Sequence, residues 1–126
     1  MKKLVVSSKS TPEDRFIYER QVRGSIQKFR IYVFESGPDM EYPSLQASEI
    51  HPYDDADYLW ASMKSDGTCR LRNSEGKSKG FIDVSRFSYD EDDYETYDEY
   101  MSEIVDHICV SLGDANAEVS PKIMHM

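Results

Sequence analysis

The sequence predicts an α+β fold: a mostly antiparallel sheet built from hairpins and packed against one long C-terminal amphipathic helix. Three observations carry this. Between residues 16 and 87, short aromatic and β-branched runs alternate with Gly-containing turns, the pattern of hairpin strands. From Tyr97 on, the period changes, and Met101, Ile104, Val105, Ile108 and Leu112 fall on one stripe when wound at about 100° per residue. No internal repeat or long linker interrupts the 126 residues, so the chain reads as a single domain, 1–126.

The elements follow in order. Leu4-Val5-Val6 forms a first strand; the apolar run is too short for a signal-peptide core, and no segment reaches the ~18 apolar residues of a membrane span. Residues 16–34 form a hairpin about Gly24-Ser25, with Gly first in a two-residue turn. In its second arm Phe29, Ile31 and Val33 alternate with Lys28, Arg30 and Tyr32, so one face is buried. Gly37-Pro38 ends that strand. Residues 39–57 are read as a long connection with one helical turn around Ser44–Ile50, closed by Asp54, Asp55 and Asp57.

Tyr58–Met63 and Thr68–Arg72 are the next pair of strands, joined at Asp66-Gly67. Asn73–Lys79 is a polar loop and Gly80–Phe87 a further strand. Both Ser88-x-x-Glu91 and Thr96-x-x-Glu99 fit a capping box at the start of the helix. Gly113 is read as its stop signal, and Ala117–Met126 as a last edge strand.

Charge is the most informative feature of the composition. The net value of −9 conceals blocks: +5 over residues 1–30, −7 over 31–58, +3 over 59–86 and −10 over 87–126. A folded surface with distinct faces is expected, and the overall sign disfavours direct contact with nucleic acid or an anionic membrane. Fifteen Phe, Tyr and Trp residues argue for a folded chain rather than a disordered one. Cys69 and Cys109 lack metal-ligand spacing and read as two buried thiols. A cytoplasmic location is expected.

The acids of the last block have a local explanation only in part. Those in a first helical turn gain about 0.3–1 kcal/mol each from the macrodipole. Like-charge pairs four residues apart, Glu95/Glu99 and Glu99/Glu103, cost about 0.2–0.5 kcal/mol each. Solubility is one account of such a face. The sharper expectation is a partner site on Asp92, Glu95, Glu99, Glu103 and Asp106, spaced to follow one line, together with Asp98 and with Tyr94 and Tyr100 as flanking anchors. Tyr97 lies near the stripe and is expected to cap the core.

With its acidic run at residues 90–106 and its small size, the chain resembles the small acidic phage and mobile-element proteins that inhibit DNA-handling enzymes. These are the anti-restriction and anti-CRISPR nucleic-acid mimics. The resemblance implies a non-enzymatic inhibitor whose acidic helix face binds a basic, nucleic-acid-binding partner. The basic blocks around Arg15–Arg30 and Arg70–Lys79 depart from a mimic that is negative all round and confine mimicry to one face. The alternative is a structural or assembly domain forming homo-oligomers through sheet edges, with acids for solubility.

No phosphate loop, nucleophile elbow or HExxH helix is present. Asp54, Asp55 and Asp57 lack the alternation, glycine and closing glutamate of a calcium loop. His51, His107 and His125 are far apart, and His107 is read as a surface residue rather than a general base. Lys77 and Lys79 read as solvating lysines on a loop. No cofactor, metal or catalytic residue is expected.

Overall fold

A computed structural model describes residues 4–6, 14–22, 24–37, 39–50, 58–87 and 96–119. Seven strands, β1 (Leu4–Val6), β2 (Asp14–Val22), β3 (Ser25–Glu35), β4 (Ser44–Glu49), β5 (Trp60–Met63), β6 (Cys69–Arg72) and β7 (Ser78–Phe81), are followed by helix α1 (Tyr97–Val119). Each strand pairs antiparallel with its neighbour in sequence, giving one meander in the order β1 to β7. The α+β arrangement expected from the sequence is therefore the one observed.

One face of the sheet is covered by the helix, and among the described residues the other is open. On β3 the odd positions Phe29, Ile31 and Val33 are buried, as the alternation predicts. Leu45 and Ala47 on β4, Ala61 and Met63 on β5, and Cys69 and Leu71 on β6 continue the same face. Helix α1 packs chiefly on β4. Ala47 and Ala61 sit opposite each other in the register; their small side chains let the helix approach. The helix contributes all five stripe residues to the core, together with Tyr100 and Cys109. Both cysteines are free and buried, as expected, and burial pushes the Cys69 thiol up to about 12.

Several local expectations are corrected. The first hairpin turns one residue earlier than Gly24-Ser25, since Ser25 already pairs with Val22. Gly24 takes the second central position at φ +83°, where a side chain would be strained. Both registers leave Phe29, Ile31 and Val33 on one face, so the alternation could not separate them. Ser44–Glu49 is a strand rather than a helical turn. Its inward positions, Leu45 and Ala47, are too few to announce a period. The Asp66-Gly67 turn is observed, closed by Gly67 N–H to the Lys64 carbonyl at 3.0 Å.

Strand β7 begins at Ser78 and ends at Phe81. Ile82, Val84 and Phe87 then pack into the core from a segment outside any strand. The helix begins with the second capping box, in which Thr96 Oγ1 accepts the Glu99 N–H at 3.1 Å.

Gly113 does not stop the helix, which runs through it to Val119 and takes in Ala117, read above as the start of a strand. A Cβ at Gly113 would meet the Arg20 guanidinium and the Gln27 amide oxygen at 3.0 Å, and the Phe29 ring at 3.2 Å. Close approach to the sheet, not a left-handed cap, accounts for this glycine. Beyond it, Asn116 is buried and ties the helix to the start of β5: Oδ1 accepts the Leu59 N–H at 2.6 Å, and Nδ2 donates to Glu49 at 3.1 Å.

Candidate interaction surfaces

The acidic face is best built from the helix start. Thr96 caps the first turn, and Asp98 and Glu99 follow it, both exposed. There their charge complements the unpaired N–H groups and the macrodipole. The Tyr100 hydroxyl, fully buried, lies 3.3 Å from the backbone carbonyls of both Glu41 and Phe87. That contact seats the loop carrying Asp39 and Glu41, both exposed, against the same end of the helix. Burial pushes the Tyr42 hydroxyl up, and the negative charges of Glu41 and Asp83 push it further the same way. Acids from separate chain segments thus meet at this end of the molecule.

The expected row of side chains is only partly realised. Asp92, Tyr94 and Glu95 lie outside the described residues, as do Asp54, Asp55 and Asp57. Asp98 and Glu99 are exposed, and Glu103 is half-buried. Asp106 is corrected: it accepts a hydrogen bond from the Tyr18 hydroxyl of β2 and stands at the helix–sheet junction. The buried arc runs from Tyr100 through Ile104 to Cys109 and Gly113. At about 100° per residue that is more than half the circumference, wider than the five-residue stripe implied, and Asp106 falls within its margin. Tyr100 is likewise corrected, from surface anchor to core. Tyr97 packs against the core, as expected.

His107 is half-buried rather than fully on the surface. Its ring lies 5.0 Å from Phe87, and Nε2 is 2.8 Å from the Asp83 carbonyl. Near the far end of the helix, Asp114 meets Arg20 at 3.4 Å.

The second surface is the open face of the sheet, which the sequence reading did not single out. Cross-strand register builds two adjacent rows on it. One runs Arg30, Ser48, Trp60, Arg72; the other runs Tyr32, Gln46, Ser62, Arg70, Phe81. Together they hold three arginines and no carboxylate. The Arg70 guanidinium lies over the Phe81 ring at 5.2 Å and that of Arg72 over Trp60 at 5.9 Å. The signal was present in the strand parity, because Trp60, Arg70 and Arg72 occupy the positions that alternate with the core.

Comparison with protein families, curated proteins and solved structures finds no match for this chain. Among the described residues, no helix is long and apolar enough to cross a membrane.

Proposed function

We propose that the protein is a non-enzymatic interaction protein whose acidic helix end binds a basic surface of a partner. The partner class that fits is a nucleic-acid-processing enzyme, inhibited by occupation of its cationic groove. The observation that carries this reading is the convergence of Asp98 and Glu99 with the Asp39–Glu41 loop, fixed by buried Tyr100. Sequence-distant acids brought to one end give a broader negative surface than a single helix row. Such a surface steers a cationic partner and raises its association rate at low salt.

The test is affinity capture from a host lysate at low and moderate salt, with the native chain and an Asp98→Lys, Glu99→Lys, Glu41→Lys variant. Losing Asp98 and Glu99 from the first turn costs the helix about 1–2 kcal/mol in total, which a folded domain of this size tolerates. The native chain is expected to retain a nucleic-acid enzyme at low salt, to release it as salt rises, and to reduce its activity. Equal capture by the variant, or retention indifferent to salt, sinks the reading.

A further inference from the structure

The open face of the sheet is chemically unlike the acidic end and independent of it. Sheet spacing of about 4.8 Å puts Arg30 and Arg72 about 14 Å apart along their row, with the second row about 7 Å away. Between the arginines lie Ser48, Gln46 and Ser62, half-buried, with no side-chain hydrogen bond among the described residues. Arg70 Nε is buried and also lacks an acceptor there.

The aromatic–cation pairs are already set in place. Trp60 Nε1 donates to the Asn73 carbonyl at 3.0 Å, and Arg72 donates to the Gly76 carbonyl at 2.8 Å. Asn73 Oδ1 in turn accepts the Glu75 and Lys77 N–H groups at 3.0 and 2.9 Å, so the loop holding these groups is itself tied down. Phe81, at 65% exposure, leaves a large ring area open to solvent.

We propose that this face binds single-stranded RNA. The three arginines supply charge for a phosphate backbone, while the Trp60, Tyr32 and Phe81 rings supply planar surfaces on which unpaired bases stack. A duplex keeps its base faces hidden and cannot use those rings. The hydroxyl and amide groups of Ser48, Ser62 and Gln46 lie between the arginines, positioned to bond ribose 2′-hydroxyls, which DNA lacks. The net charge disfavours nucleic acid only as an average: the described helix acids lie on the covered side of the sheet, and the two rows carry none. An acidic protein would match the arginines but has no use for ring faces set beside unspent hydroxyls.

The test uses the full chain and a fluorescently labelled, unstructured 12-nucleotide RNA. The same sequence as DNA, an RNA duplex and polyglutamate serve as competitors. Trp60 is the chain's sole tryptophan, so quenching of its emission by unlabelled RNA reports contact at this face in the unmodified protein. Expected are a rise in anisotropy with Trp60 quenching, and a log–log salt slope near about −2 from three phosphate contacts. About tenfold weaker binding is expected on Phe81→Ala, and similarly on Arg70→Gln with Arg72→Gln. Phe81 is exposed enough that its removal leaves folding intact, which circular dichroism verifies.

Absence of RNA binding up to about 100 µM protein, the weak end of non-specific affinity, overturns the proposal. So does equal affinity for DNA, duplex or polyglutamate, or unchanged binding by the variants.

Discussion

Asn116 offers the sharpest test of how the helix is held. Its side chain is buried at 3% exposure and satisfies three groups: the Leu59 N–H at 2.6 Å, the Leu59 carbonyl at 3.4 Å and Glu49 at 3.1 Å. Asn116→Ala leaves the Leu59 N–H buried without a partner, at about 1–3 kcal/mol. It also removes a charge-assisted bond to Glu49, taken near its lower value of about 1.5 kcal/mol because Glu49 keeps the Gln27 amide at 3.2 Å. Better helix propensity returns up to about 0.7 kcal/mol. The expected net loss is about 2–4 kcal/mol. With an m-value of about 1.5 kcal/mol/M, the urea midpoint falls by about 1.3–2.7 M with m unchanged.

Asn116→Asp separates the two roles. It keeps the acceptor for Leu59 but sets a carboxylate oxygen against Glu49, so one of the pair holds a proton and its folded pKa rises. Stability of that variant is full below the ordinary carboxylate range of about 4 and is lost as pH rises through the raised value. Urea melts at pH 5 and pH 7 therefore show the variant closer to wild type at the lower pH. A loss under about 0.5 kcal/mol for Asn116→Ala, or no pH dependence for Asn116→Asp, refutes the bridge.

Other outcomes follow from the same contacts. Gly113→Ala forgoes the ~1 kcal/mol that this change gives an open helix and falls about 1 kcal/mol below wild type through overpacking; a stabilised variant in urea would show that Arg20, Gln27 and Phe29 yield. Cys69 and Cys109 are buried with raised pKa values, so a thiol reagent labels them only at the rate of global unfolding; fast labelling in native buffer contradicts their placement. The raised Cys69 value also predicts stability that is complete below about pH 9 and declines as pH climbs toward 12, measurable by urea midpoints and removed by Cys69→Ala. Backbone N–H groups of Thr68 and Ser85 hold the Asp66 and Asp83 carboxyls below their ordinary value of 3.8. Their contribution is present above that pH and lost as pH falls through the lowered values, so Asp66→Asn with Asp83→Asn flattens the acid branch of the stability curve.

Much of the fold was legible because the strongest sequence signals are periodic. Phe29, Ile31 and Val33 repeat every second residue, and the helix stripe repeats at 3.6, so the covered sheet face and the packed helix face could both be assigned. What failed was local or depended on tertiary approach. Strand β4 offers only Leu45 and Ala47 inward, and Ala47 is small because the helix crosses there, a reason invisible before the two are brought together. Gly113 carries the composition of a cap and the job of a spacer. Asp106 and Tyr100 were misplaced for a shared reason: the helix buries more than half its circumference, so residues flanking the stripe are drawn inward.

The charge blocks found different homes according to element type. The described acids of the last block sit on a helix whose buried arc leaves Asp98 and Glu99 of its first turn outward, and the Glu41 loop is tied to that turn by Tyr100. Several described basic residues of the first and third blocks occur on strands, where parity decides their side. Lys28, Arg30, Arg70 and Arg72 alternate with core residues and so emerge on the face the helix does not cover, whereas Arg20, opposite Gln27 in the register, turns inward to Asp114. A one-residue slip of β6 would drive Arg70 and Arg72 under the helix and expel Cys69 and Leu71. The register that buries the core is therefore the same constraint that lines three arginines along the open face.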